Sequence, residues 1–441
     1  MNEFLPILMF PVLILFIFAG VQIAFAMLLT AAIFGLMMFG EVTAYQLLTK
    51  IEETASNSIL AAVPLFIFMG AMLEKSGIAE RLFHAIHLWT KRLPGGIGVG
   101  TILLGAIFAA SSGVVGATEA VIGLLTIPVM LKHQYDKRLL SGVICASGSL
   151  GTAIPPSITV IVLGPVAGIS VGQLFNGLLI PGLLMAVLFI IYVIAIAYFK
   201  PNMAPREIDE EPGVSLAKRL KVTATAIIPA AALIFTVLGT ILLGLATPTE
   251  ASACGALGAV ILSVCYRSCK LKVLWESMLS TVNITAMILL IVMAGNMFAG
   301  IFFATGGMQT VQSLLTGSGF SPNTVLGLIL FIAFIAGFLL DMMSVVLIII
   351  PVAIPIVRLL GFDDIWFCVA FLVVLQTSYL TPPLAPSIFY LRAISPPSIT
   401  LKHMYAGVIP FICIQLVVLF VILVFPETAL WLPRILGTKD W

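Results

Sequence analysis

Charge is what this chain has least of. Only 9% of its 441 residues are Asp, Glu, Lys or Arg, while 61% are hydrophobic; an ordinary soluble domain carries about 25% charged residues. A soluble enzyme is thereby excluded. With 21 basic and 19 acidic side chains, the net charge of +2 is too weak to point to a nucleic-acid partner. Histidine is scarce as well: His84, His87, His133 and His403 fall in interfacial segments, and no HExxH pattern occurs. Ser149 has no His or Lys near it in sequence to activate it, which weighs against an intramembrane hydrolase. The six cysteines (Cys145, Cys254, Cys265, Cys269, Cys368 and Cys413) lack metal-site spacing and read as packing residues. No polar stretch is long enough for a soluble domain, so any water-soluble ligand-capturing part belongs to another polypeptide. The start, MNEFLPILMFPVLILF, has no basic n-region and no small-residue cleavage site, and reads as a first span.

What is present is a series of long charge-free runs, which defines a polytopic all-α membrane protein. Ten spans are expected at 4–19, 21–40, 57–77, 139–167, 172–198, 223–243, 246–265, 277–303, 366–390 and 405–428. With the N-terminus outside, all but Lys50, Arg358, Arg434 and Lys439 of the 21 basic residues lie in cytoplasmic loops, as the positive-inside rule requires. Val42, Tyr45, Leu48 and Ile51 share one face of an expected interfacial helix over 41–57, and 267–279, with Leu271, Leu274 and Trp275, reads similarly. A polar cytoplasmic linker, 201–222, divides a first unit (1–200) from a second (223–441).

The two units share their punctuation. Pro128 precedes Pro155 by 27 residues and Pro355 precedes Pro382 by 27, so both pairs are offset by 227. Gly20 and Gly244 match at 224, and Gly70 and Gly77 match Gly300 and Gly307 at 230. Five spans per half would turn the second half upside down, the inverted-repeat plan of secondary transporters.

Two apolar pairs stay outside the ten spans, at 97–131 and 326–357. Arms of about 15 residues would reach roughly 22 Å, short of a hydrocarbon core of about 30 Å, so each pair reads as a re-entrant hairpin. The first turns in SSGVVGATEA, near Ser112 and Gly113, and enters from the cytoplasm; the second holds Gly337, Asp341 and Ser344 near its tip. Such a tip is tolerated at membrane depth where it lines a cavity or binds something. Beside each hairpin a span is interrupted, at ASGSLGTAIPPS (146–157) and QTSYLTPPLAPS (376–387). Proline ends the helical hydrogen bonding there, freeing carbonyls that suit sodium and helix N-termini that suit a carboxylate; a kink serving packing alone is the alternative. Asp341 either coordinates a cation, directly or one layer out, or caps a nearby half-helix. Glu250 reads as a helix-start acid, and Glu119 as a cap on the hairpin's second arm.

Read in order, GVQIAFAM, SSGVVGAT, YDKRLLSGVICASGSLGTAIPPSI, GLATPTEASACGAL, GFLLDMMSVVLIIIPVAIPI and SYLTPPLAPSIFYL resemble the large membrane subunit of tripartite ATP-independent periplasmic (TRAP) transporters of the C4-dicarboxylate permease type. The resemblance covers nearly the whole chain. It implies a sodium-coupled elevator-type importer of small organic acids in the bacterial inner membrane. The partners it implies are an extracytoplasmic substrate-binding protein and a small four-helix membrane subunit. It also implies two sodium sites, carried over to Ser111, Ser112, Gly151, Ile154 and Pro156 in the first half and to Gly337, Asp341, Thr377, Leu380 and Thr381 in the second. Substrate, by the same resemblance, lies between them, near Gly113, Thr118, Ser149, Ser378 and Pro382. With no Arg or Lys deep in the spans, a carboxylate would be held by hydroxyls, amides and helix ends. The wording GVVGAT with YDKRL leans toward members that carry monocarboxylates. Two alternatives are a self-sufficient sodium/dicarboxylate symporter of the same superfamily and the hydrolase.

Overall fold

The computed structural model describes residues 5–112, 115–206, 215–317 and 319–436, with the side chains of 109–112, 115, 117, 216 and 314–317 excepted. Regular structure among them is helical throughout. The first half holds α1 (Met9–Phe18), α2 (Ile23–Phe39), α3 (Val42–Ala55), α4 (Ala62–Lys75), α5 (Ile78–Thr90), α6 (Gly96–Ser112), α7 (Val115–Lys132), α8 (Lys137–Ala153), α9 (Ile158–Ala167) and α10 (Val171–Phe199). The second half follows with α11 (Leu216–Leu242), α12 (Pro248–Cys265), α13 (Leu271–Ala304), α14 (Gly307–Gly317), α15 (Pro322–Leu339), α16 (Met342–Leu359), α17 (Asp364–Leu380), α18 (Pro386–Ile394), α19 (Leu401–Val424) and α20 (Glu427–Leu436).

Polar residues start these helices where the chain enters apolar surroundings. The Asp136 carboxylate accepts from the Arg138 amide at 2.8 Å to begin α8, and Asp363 accepts from Trp366 at 3.0 Å to begin α17. Thr247 and Glu250 form a reciprocal capping box with Pro248 in the first turn of α12, the arrangement that satisfies two otherwise orphaned amides. Glu250 is therefore the helix-start acid expected of it. At the other end, Gly168 closes α9 with φ near +67°, a conformation glycine adopts without steric cost.

Helices gather into two regions. α2, α3 and α4 pack with α12 and α13, and α11 joins them through α5 and α12. α1 packs on α2 and α14 on α13, while a second group centres on α8 and α17, which are flanked by α10 and α19. From Leu139 to Ala153 every residue of α8 is buried, so this helix is surrounded by protein on all sides. Its contact with α19 is close: a Cβ added at Gly142 would lie 2.1 Å from the Gly407 carbonyl oxygen, and one at Gly407 2.1 Å from that of Arg138. Small residues at such crossings let helix backbones meet where no hydrophobic driving force operates.

Several expectations change. Nine helices among the described residues are long and apolar enough to cross a membrane, and α15 and α16, at 18 residues each, are among them. Hairpin arms of 17 or 18 residues measure about 26–27 Å, so arm length alone does not make them re-entrant. The expected spans at 4–19 and 21–40 give helices of 10 and 17 residues, shorter than a full crossing. The stretch 267–279 is not a separate interfacial helix: from Leu271 it begins the 34-residue α13, whose length of about 51 Å leaves Leu271 and Trp275 exposed beyond the apolar core. The linker is shorter than expected because α11 starts at Leu216. The helix expected at 41–57 is found as α3, with Val42, Tyr45 and Leu48 exposed along one face. Cys145 and Cys368 are buried, but Cys254, Cys265 and Cys413 are exposed, so only some cysteines serve packing.

The α8–α19 crossing yields a direct check. Gly142→Leu is expected to abolish the monodisperse peak in fluorescence-detected size-exclusion chromatography. Gly327→Ala, where a methyl group meets no described atom within 4 Å, should leave the profile unchanged.

Candidate functional site

Both interruptions arise from the same local chemistry. Proline disfavours the helical conformation in the residue before it, and Ile154 before Pro155 (φ −102°, ψ 118°) and Thr381 before Pro382 (φ −83°, ψ 127°) are accordingly extended. Pro155–Pro156 and Pro382–Pro383 are both cis. Lacking amide hydrogens, Pro155 and Pro156 cannot donate to the carbonyls four residues back, Gly151 and Thr152. The first break is buried throughout 153–157, whereas Pro383 and Leu384 in the second are exposed.

Around these breaks the two hairpins interlock with the opposite halves. α6 and α7 pack along α8, and α15 packs along α17. α7 also reaches α18, the half-helix after the second break, while α16 reaches α9, the half-helix after the first. Each cross-contact has a polar link. The Ser387 hydroxyl on α18 donates to Glu119 on α7 at 2.5 Å, and the Thr159 hydroxyl on α9 lies 3.7 Å from the Met342 sulfur on α16. Glu119 is fully buried, its second oxygen having no hydrogen-bond partner among the described residues. It is thus a tie between the halves instead of the expected cap on its own arm.

The second set of expected sodium residues converges. A Cβ at Gly337 would fall 2.0 Å from the Ser378 hydroxyl, so α15 can touch α17 there only without a side chain. Thr377 and Leu380 are buried on the same stretch, and Thr381 is half-buried at its end. The Thr377 and Thr381 hydroxyls each donate to the carbonyl four residues earlier, at 2.7 Å; their oxygens keep lone pairs for a cation. Asp341 has a structural role of its own. It is the N-cap of α16, accepting from the Met343 amide (3.0 Å), the Ser344 amide (3.3 Å) and the Ser344 hydroxyl. Its carboxylate holds the hairpin turn, and coordination is not needed to explain it.

In the first half, Gly151, Ile154 and Pro156 sit at the buried break, and a Cβ at Gly151 would meet no described atom within 4 Å. Gly113 and the side chains of Ser111 and Ser112 lie outside the described residues; α6 ends at Ser112 and α7 begins at Val115. Of the expected substrate residues, Thr118 and Ser378 are buried and Pro382 is half-buried.

Ser149, expected near the substrate, is engaged within the protein. Its hydroxyl donates to the Ala146 carbonyl at 2.8 Å and accepts from Gln376 and Gln415 at 3.3 Å each, so its hydrogen-bonding capacity is spent in the core. Gln376 and Gln415 are residues that sequence reading missed, although Gln376 stood in the quoted QTSYLTPP. Ser149 and Gln376 are 227 positions apart, the same offset as the prolines, and that coincidence was the available signal. Ser157 was missed too: it is buried at the break and its hydroxyl has no partner among the described residues.

This architecture is that of a helical membrane transporter. It matches the crystal structure of the YdaH transporter of Alcanivorax borkumensis with a TM-score of 0.62 over 95% of this chain and 98% of that one, a likeness of fold at 14% identity. The chain belongs to the DctM component family of tripartite ATP-independent periplasmic transporters, whose family model matches residues 10–428. It is 30% identical to the C4-dicarboxylate TRAP transporter large permease protein DctM of Pseudomonas aeruginosa, over 91% of this chain and 92% of that protein. It is 32% identical to the ectoine TRAP transporter large permease protein TeaC of Halomonas elongata, over 92% and 93%. These relatives are permease subunits and not enzymes, which removes the hydrolase reading.

Asp341 provides the test of the site's geometry. Asp341→Ala should lower thermal stability by about 1 kcal/mol, the usual cost of losing an N-cap, whereas Asp341→Asn, an equally good cap, should keep both stability and sodium dependence. A marked rise in sodium requirement in the Asn variant would place the carboxylate on the ion after all.

Proposed function

We propose that this chain is the large membrane subunit of a sodium-coupled importer of small organic acids in the bacterial inner membrane. Its two halves act as inverted repeats, and the region built on the hairpins and broken helices moves as an elevator against the region built on α2, α4, α12 and α13. The observation that carries the reading is the pairing of each hairpin with a proline-broken helix at a constant offset of 227 residues. One sodium ion is held near Ser111, Ser112, Gly151, Ile154 and Pro156. The other lies near Gly337, Thr377, Leu380 and Thr381, with Asp341 holding the turn beside it. Carbonyl and hydroxyl oxygens suit a hard monovalent ion, and with no basic side chain deep in the spans they leave a carboxylate to be held by hydroxyls and helix ends such as those at Thr118, Ser157, Ser378 and Pro382. Family membership supports a small membrane subunit and an extracytoplasmic binding protein as partners. The named relatives handle C4-dicarboxylates and ectoine, so the particular acid is left to experiment.

Uptake into proteoliposomes, with the two partners supplied, checks this. Ser112→Ala and Thr381→Ala should each raise the sodium concentration for half-maximal uptake, on the order of tenfold for the loss of one oxygen bound to a charge, without lowering expression. Unchanged sodium dependence in both sinks the site assignment. Full uptake by this chain alone would instead identify a self-sufficient symporter.

A further inference from the structure

On the face that the positive-inside rule assigns to the outside, a cleft of about 290 Å³ opens between α3 and α13 on one wall and α9 and α16 on the other. That is room for several waters at about 30 Å³ each, or for a small carboxylate. Its polar lining includes Lys50, Glu53, Asn57 and Asn296. A second cavity of about 250 Å³ adjoins it and shares Lys50, Glu53 and Gly300.

Lys50 is set in place by a gap in the opposite helix. A Cβ at Gly300 of α13 would stand 3.1 Å from Lys50 Cε and 3.5 Å from Cδ and Cγ, so the lysine stem lies along bare backbone while its ammonium reaches the cleft. The other outer basic residues are engaged elsewhere: Arg358 pairs with Asp364 at 2.7 Å and donates to the Ala167 carbonyl at 3.3 Å, and Arg434 pairs with Glu427. Lys439 lies outside the described residues. Lys50 pairs with Glu53 at 2.7 Å in an exposed contact three residues apart on one helix. Pairs of that kind contribute at most about 1 kcal/mol, so an incoming carboxylate can take Glu53's place. Of the α9 residues that line the cleft, Val162 is the one nearest the first break, five residues beyond Ser157, or about 7–8 Å along the helix.

We infer that this cleft receives the substrate's carboxylate on the outer face, with Lys50 exchanging Glu53 for the arriving anion before the molecule moves along α9 toward the broken helices. The inference rests on the importer reading above and adds to it a residue outside the ion and substrate sites.

Two measurements test it. Single cysteines at Val166 and Phe303, both lining the cleft, are placed in an otherwise cysteine-free chain. They are then labelled from outside with an anionic sulfonatoethyl and a cationic trimethylammonioethyl methanethiosulfonate. Lys50→Gln should lower the anionic-to-cationic rate ratio on the order of three- to tenfold, as expected for removing one charge a few ångströms away. Glu53→Gln should raise the ratio, and Lys50→Arg should hold it near the parent value. In uptake with the partner proteins, Lys50→Gln should raise KM several-fold with kcat unchanged, and Lys50→Arg should restore it. A ratio unmoved at both reporters overturns the inference, as does a shifted ratio with unaltered KM. Sodium-independent uptake would sink the proposed coupling while leaving the labelling readout intact, so the two failures are distinguishable.

Discussion

A peptide group inside a bilayer has no water to bond with, and the arrangement around α8 and α17 depends on that constraint. Pro155, Pro156, Pro382 and Pro383 each remove an amide donor in mid-span, leaving helix ends and carbonyls that lipid cannot satisfy. Protein must cover them. α8 is buried along its whole apolar length because two hairpin arms, α10 and α19 enclose it, and α17 is buried from Trp366 to Ser378 in the same manner. Where the cover is thinner, Pro383 and Leu384 are exposed, and the Pro383 carbonyl accepts from the Tyr405 hydroxyl at 3.2 Å.

Because each hairpin reaches the half-helix belonging to the other half, neither half closes its own break. Glu119 with Ser387 and Thr159 with Met342 are the side-chain forms of that exchange. At the centre, Ser149 and Gln376 occupy matching positions in the two halves and touch each other, with Gln415 completing the cluster. A fully buried polar cluster of this kind is costly when partly satisfied and specifies a unique arrangement when its partners are in register.

Much of this was readable in advance. Hydropathy located the long helices, proline located the interruptions to within a residue, and the second hairpin turns where Asp341 suggested. What was not readable has one common cause. Asp341 could be read as ligand or cap, and the choice depends on where the Met343 and Ser344 amides point. Ser149 looked available for substrate until two glutamines, 227 and 266 positions away, were found on its hydroxyl. Glu119 looked local and proved to be bonded 268 positions away. Helix lengths also slipped, because apolar runs do not mark where a helix extends past the hydrocarbon, as at the start of α13.

The sequence by itself determined that the chain is a membrane protein, its two breaks and its family, because hydropathy and missing proline amides act locally along the chain. Only the tertiary structure decided which polar groups are spent and which are left open. It showed Asp341 and Ser149 hydrogen-bonded, Ser157 and one Glu119 oxygen without partners among the described residues, and Lys50 laid over Gly300 at the edge of a cleft. Those outcomes depend on side chains from distant segments meeting at hydrogen-bond distance, and local pattern carries no information about such meetings.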